Sequence, residues 1–224
     1  MLKKWPILFI IFTFFSQIGF GAVSAKLVFI LGTVQYKTSI QDKEWRPVCA
    51  NMVLNESASL RTGKGALAYL TISDSIKIKI SGMTTIEMKK LAEEKTLQLY
   101  TGKIWSKVEK SNAKRLFSVR SPSTVVGVRG TEFIFETTDL EDKLYVEEGK
   151  VVFGKGADEK NASLVKKGEI AVLKKDKKEA EEQKIEVKIA SFEDIKNLKG
   201  EFDIKKIKKI PFVDSSANDF LDFK

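Results

Sequence analysis

Between Ser75 and Ser81 the chain reads SIKIKIS, with isoleucine at 76, 78 and 80 and lysine at 77 and 79. Successive side chains of an extended strand point to opposite faces, so this alternation describes a strand with one dry and one wet side. The same period of two runs through most of residues 26–173. ALAYLTI sets Ala66, Ala68, Leu70 and Ile72 on one side, and TEFIFET sets Thr131, Phe133 and Phe135 opposite Glu132, Ile134 and Glu136. Further strands are expected at 27–36, 84–88, 96–100, 103–108, 115–120, 144–147, 150–154 and 169–173. Turn signals such as Ser73-Asp74-Ser75, Ser81-Gly82, Glu148-Gly149 and Lys167-Gly168 separate them. Many short strands with no long helical period between them define an all-β domain. GTVQY (32–36), GKIWS (102–106) and GKVVF (149–153) each set a glycine just before an apolar-aromatic strand. Their separations differ, which argues against a strict solenoid repeat and fits stacked hairpins or loosely repeating coils.

The ends read differently. MLKK, the apolar run WPILFIIFTFF and the small residues Ala22-Val23-Ser24-Ala25 form the three-part pattern of a signal peptide cleaved near Ala25. The run from Trp5 to Phe15 is short for a bilayer span, and an uncleaved anchor is the alternative reading. The expected division is a signal peptide at 1–25, a β domain at 26–173, and a C-terminal part at 174–224 holding a linker, a short helix and a flexible tail. The expected location is periplasmic or otherwise exported, with no stable transmembrane helix after cleavage. In the C-terminal part, KKDKKEAEEQK has almost nothing to bury and reads as a solvated linker or a fraying helix. Ser191-Phe192-Glu193-Asp194 resembles a capping box; with Phe192, Ile195 and Leu198 at helical spacing it marks a helix over 191–199, which Gly200 can end.

The residue inventory excludes most chemistry. Histidine is absent and Cys49 is the only cysteine, which removes His-dependent nucleophile systems, the usual zinc sites and any internal disulfide. Cys49 itself reads as a small buried residue. The carboxylate pairs Glu141 with Asp142 and Glu147 with Glu148 sit at turns beside lysines, where solvated charge is expected. Glu132 and Glu136 share one face of a strand about 13 Å apart, too far for a glycosidase pair. The net charge of +9 is spread among acids, without the dense basic stripe of a nucleic-acid binder. In VVGVRGTEFIF (125–135) the two glycines lack the Lys-Ser/Thr of a phosphate loop, and a period-two strand follows them. Gly127 and Gly130 therefore read as places where the backbone bends or approaches another strand. No cofactor, metal or enzymatic activity is expected.

An ordered set of motifs is similar to the FecR domain family. It comprises GTVQY, then Trp45 with Arg46-Pro47-Val48, SLRTGKGALAYLTISDSIKIKI (59–80), LYTGKIWSKVE (99–109), FSVRSPSTVVGVRGTEFIFE (117–136) and LYVEEGKVVF (144–153). The resemblance spans about residues 29–173. It implies an elongated β domain, solenoid-like or two-layered, that works through protein–protein interaction in the bacterial envelope, with a role in signalling among the implied functions. Fuller members of the family pass a signal to a cytoplasmic sigma factor through an N-terminal segment that is not expected here, so that half of the function is not carried over. Arg61, Thr62, Gly63, Gly65, Gly127, Arg129, Gly130 and Thr131 are the expected architectural signature. Lys103, Trp105 and Lys107 are the expected exposed binding surface, for a partner protein or a glycan, and Trp45 is expected in the core. The alternative function is binding of peptidoglycan, lipopolysaccharide or another anionic polymer through the basic surface.

Overall fold

The computed structural model describes residues 23–202 except 74, 93–94, 111–116, 157–161 and 176–183. Residues 1–22 of the expected signal peptide, most of the Lys/Glu linker and residues 203–224 of the tail lie outside the described residues, whereas Ala25 is buried at the start of β1. Seventeen strands and one helix are found among those described. They are β1 (Ala25–Leu31), β2 (Val34–Lys37), β3 (Arg46–Pro47), β4 (Val53–Leu54), β5 (Ser59–Thr62) and β6 (Leu67–Ile72). Then follow β7 (Ile76–Ile80), β8 (Thr85–Lys90), β9 (Thr96–Val108), β10 (Phe117–Arg120), β11 (Thr124–Val128) and β12 (Glu132–Thr137). The last are β13 (Glu141–Glu148), β14 (Lys150–Lys155), β15 (Ala162–Lys166), β16 (Glu169–Lys174), β17 (Glu186–Ile189) and the helix α1 (Phe192–Lys199).

Their pairings form one large, open, mixed sheet that folds into two layers. Layer A runs β4–β1–β6–β7–β9–β12–β13–β16–β17, all antiparallel. Layer B runs β3–β2–β5–β8–β9–β10–β11–β14–β15, with the β9–β10 pair parallel. The expected two-layered, all-β architecture with a short C-terminal helix is what forms.

β9 belongs to both layers. Its first half pairs with β8 and β10 in layer B, and its second half with β7 and β12 in layer A. The two strands expected at 96–100 and 103–108 are thus one strand that changes layer at Gly102. The converse correction applies to 27–36, which breaks at Gly32 into β1 in layer A and β2 in layer B. The chain repeats one device throughout: a hairpin within a layer, then a crossing to the other layer beside a glycine. Crossings fall at Gly32, Gly63 to Gly65, Gly82, Gly102, Gly130, Gly149 and Gly168. This is the physical content of the glycine-before-strand echo.

The dry face of each layer points at the other. Ile76, Ile78 and Ile80 of β7 are buried as their alternation requires, facing Ile86, Met88, Leu97 and Leu99 of layer B within one cluster. Farther along, Phe135 of layer A meets Phe153 of layer B edge to face, with ring centroids 6.2 Å apart.

A second, smaller apolar cluster lies on the outside of layer A, where α1 is seated. Leu198 and Phe202 join Ile134, Tyr145 and Ile170 there. The helix forms where its capping box predicts. Ser191 Oγ accepts from the Asp194 amide at 3.1 Å, and the Ser191 amide donates back to the Asp194 carboxylate at 3.1 Å. The Ser191 hydroxyl and amide hold the Asp194 carboxyl below its ordinary pKa of 3.8. A lowered carboxyl pKa stabilises the fold above the ordinary value and loses that contribution as pH falls through the lowered one. Ser191→Ala should therefore cost about 1 kcal/mol of helix stability. Amide exchange of residues 194–199 should speed up in the variant at neutral pH, and the wild type should approach it on acidification below pH 3.8.

Candidate functional site

The stretch that looked most like a site resolves into strand, corner and strand. Val125 and Val126 lie within β11, so Gly127 sits in mid-strand and the backbone does not bend there. A Cβ on Gly127 would meet only Val152 Cβ at 4.0 Å, an ordinary contact. Nothing in the structure requires glycine at 127, and the expected bend is corrected to a straight strand. Gly130 is different. It has φ +65°, and a Cβ there would come within 2.5 Å of Lys110 Cγ and 3.1 Å of Lys110 Cα. Gly130→Ala should cost about 1–2 kcal/mol from the left-handed backbone alone, read as a lower denaturation midpoint. Thr131 follows, buried in the corner, and its carbonyl accepts from the Val108 amide at 2.9 Å. Arg129 is exposed beside it.

The other signature, Arg61 to Gly65, makes the corresponding corner at the opposite end. Thr62 Oγ1 donates to the Ser81 carbonyl at 2.5 Å and accepts from the Thr84 amide at 3.0 Å. The Thr84 hydroxyl in turn accepts from the Lys103 amide at 3.0 Å. Two threonines thus staple three successive corners, and Gly63 accepts from the Met83 amide through its carbonyl at 3.2 Å. Arg61 points outward from layer B. Its guanidinium lies 4.4 Å from the Trp45 ring centroid, and its Nε donates to Gln35 Oε1 at 2.9 Å. Lys37 sits over the same ring at 5.1 Å. Trp45 is therefore a half-buried platform for two cations and not a core residue, and Cys49 is exposed where burial was expected.

A polar centre that sequence reasoning missed lies at the SPST turn. Asp142 is fully buried, which corrects the expectation of solvated charge for the Glu141–Asp142 pair. Its Oδ2 accepts from Ser121 Oγ at 2.5 Å and Thr124 Oγ1 at 2.9 Å. Its Oδ1 accepts from Thr137 Oγ1 at 2.5 Å and pairs with Lys175 Nζ at 2.7 Å. A carboxylate offers about four lone-pair sites, so this one is saturated. Lys175 also donates to the Thr138 carbonyl at 2.7 Å. Ser121 and Thr124 belong to layer B, Thr137 and Asp142 to layer A. The cluster ties the layers together and leaves no lone pair for a reacting group.

The expected binding surface of Lys103, Trp105 and Lys107 lies on the outer face of layer A, and two of its three members are not exposed. Trp105 is only 7 % exposed, in a straight row with Tyr69, Lys79, Ile134 and Tyr145 across five strands. Lys103 is only 4 % exposed. Its ammonium donates to the Asn197 carbonyl at 3.3 Å and pairs with Glu136 at 3.3 Å and Glu201 at 3.7 Å. A cation at the last turn of α1 is where the helix dipole favours it. Lys107 pairs with Glu132 at 3.3 Å. Lys103 ties the helix to the sheet and Trp105 shares its apolar cluster, because an element from ninety residues downstream packs on this face, a contact no local pattern contains.

Two glycine-cornered layers tied by a saturated buried carboxylate define a structural β module. Residues 58–152 match the model of the FecR protein family. Two crystal structures, at 1.65 Å and 2.50 Å resolution, of a candidate anti-sigma factor from Parabacteroides distasonis ATCC 8503 share the fold. Each superposes with a TM-score of 0.50 at 16 % identity, over 59 % of this chain and 60 % of theirs. This chain thus spans about three fifths of the length of those structures. No curated protein matches the sequence. No helix among the described residues is long and apolar enough to cross a membrane.

Proposed function

We propose that this protein is an exported, non-catalytic FecR-type module that acts in signalling or regulation by binding other proteins of the cell envelope. The observation that carries the reading is where the buried polar residues of the corners are used: Thr62 from the signature, and Ser121, Thr124 and Asp142 from outside it. These four direct their side-chain oxygens at neighbouring corners and at one another, so they build a scaffold. The FecR match supports a regulatory role. The three-part N-terminus supports export, and cleavage after Ala25 would release the chain at Lys26, the second residue of β1.

The test is a photo-crosslinkable residue placed singly at Val152 or Leu164, both exposed on the outer face of layer B, or at Leu140 in the β12–β13 turn. Full-length protein is expected in the exported fraction in processed form, with one discrete protein captured from at least one of these positions. Unprocessed protein in the cytosol would overturn export. A processed protein that crosslinks to nothing at any position would overturn the interaction role.

A further inference from the structure

We propose that the end of the two layers formed by β15 and β17 takes up an extended strand of a partner protein, apolar on one side and acidic on the other. The proposal deepens the interaction role by naming its surface, and it rests on that reading. At the opposite end, β3 and β4 are two residues long and β3 contains Pro47, features that blunt a sheet edge. β15 is five residues long, ASLVK, holds no proline, and pairs with β14 alone among the described residues. The Lys167 amide donates to the Gly149 carbonyl at 3.1 Å, which sets the alternation along β15. Ser163 and Val165 bond to β14, so Ala162, Leu164 and Lys166 turn their amides and carbonyls to the open edge. The Glu169 carboxylate, which accepts from the Lys166 amide at 2.7 Å, confirms that direction. The Leu164 amide and carbonyl, in mid-strand, have no partner among the described residues.

Layer A overhangs layer B at this end. Phe135 of β12 meets Phe153 of β14. Beyond that pair layer A continues through β13, β16 and β17, and layer B through β15 only. Val187 and Ile189 lie on the interlayer side of β17, opposite Ala171 and Glu169 of β16, yet they are 40 and 83 % exposed. A strand added to β15 runs beneath them. Its inward side chains meet Val187 and Ile189 and are therefore apolar, and its outward ones stand beside Leu164 and Lys166. That outer rim is basic. Lys150 and Lys166 are directly opposite each other in the β14–β15 pair, and Lys167 follows. All three are exposed and have no acidic partner among the described residues. Like charges directly opposite destabilise a sheet, and acidic side chains on the added strand relieve the repulsion. A second copy of the chain brings the same lysines to the same rim, so charge favours a different, acidic partner.

The test uses the full chain and two labelled synthetic peptides, SEVEVEVES and SKVKVKVKS. The glutamate peptide is expected to bind and to slow exchange of the Leu164 amide severalfold, and the lysine peptide to do neither. Salt should weaken the binding. Leu164→Pro removes a donor that β14 does not use, so affinity should fall severalfold with the denaturation midpoint little changed. Should that variant not fold, Val187→Ser with Ile189→Ser, both already exposed, is expected to lower affinity likewise. Lys150→Glu with Lys166→Glu should turn the preference to the lysine peptide. Equal binding of both peptides, or of neither, would overturn the proposal. So would glutamate-peptide binding that leaves Leu164 exchange unchanged. Leu164 protection that grows with protein concentration alone would assign the edge to a second copy and overturn the partner strand. A discrete envelope protein captured at Leu140, with the Leu164 amide unprotected in that complex, would overturn this surface while the interaction role stands.

Discussion

Gly102→Val should abolish folding of the domain. Gly102 lies in mid-β9 with φ +96°, at the point where the strand leaves layer B for layer A. A Cβ built there falls 2.3 Å from Thr84 Oγ1, 2.6 Å from Thr84 Cα and 2.7 Å from Thr84 Cβ. Two of those atoms cannot rotate away: the Cα is backbone, and Thr84 is pinned by the Lys103 and Thr62 hydrogen bonds. A β-branched side chain adds its own exclusion from positive φ. The consequence is global because β9 is the strand both layers share. Shifting it at residue 102 loosens β8 and β10 on one side and β7 and β12 on the other. Expected are loss of the cooperative denaturation transition and rapid exchange throughout. Gly102→Ala meets the same atoms and should show a reduced transition, where Gly127→Ala leaves the midpoint nearly unchanged.

The second large effect concerns Asp142. Asp142→Ala removes the acceptor for three hydroxyls and the counter-charge of Lys175 in one step. Breaking a buried pair from one side typically costs about 3–5 kcal/mol, because the other charge stays buried and uncompensated. Such a loss is a large part of a stability of about 5–15 kcal/mol. Lys175→Met should cost less, since Asp142 keeps its three hydroxyl donors. In the double variant Asp142→Ala with Lys175→Met, part of the loss should return, as the stranded charge is gone. Urea denaturation of the four proteins reads the coupling directly.

The strands of this fold were visible in the sequence wherever alternation was clean. SIKIKIS and TEFIFET place isoleucines and phenylalanines on the interlayer side as their period demands, and the cap at Ser191 fixed the helix to within a residue. β3, β4, β5, β11, β15 and β17 escaped: VVGV is apolar on both sides, ASLVK and EVKI are short and half polar, and RP, VL and SLRT are too short to show a period. The turn glycines were visible as glycines but not as layer changes, since whether a chain turns within a sheet or out of it depends on what pairs with it later. The site residues divide along the same line. Gly130 and Thr131 announce a corner locally. Asp142 gave no sign, because the hydroxyls that neutralise its setting come from residues 121, 124 and 137, and its cation from residue 175. Trp105 and Lys103 read as exposed because their strand alternates. The helix that covers that face is encoded far downstream.

The measurement that bears most directly on the scaffold reading is equilibrium denaturation of Thr62→Val, Ser121→Ala and Gly130→Ala beside the wild type. If these residues exist to join corners and layers, each substitution lowers the midpoint with the slope unchanged, and Ser121→Ala does so less than Asp142→Ala. Wild-type midpoints in all three, accompanied by loss of a partner or of any turnover, would mean that the motif is kept for a reactive or recognising surface and that the scaffold reading is wrong.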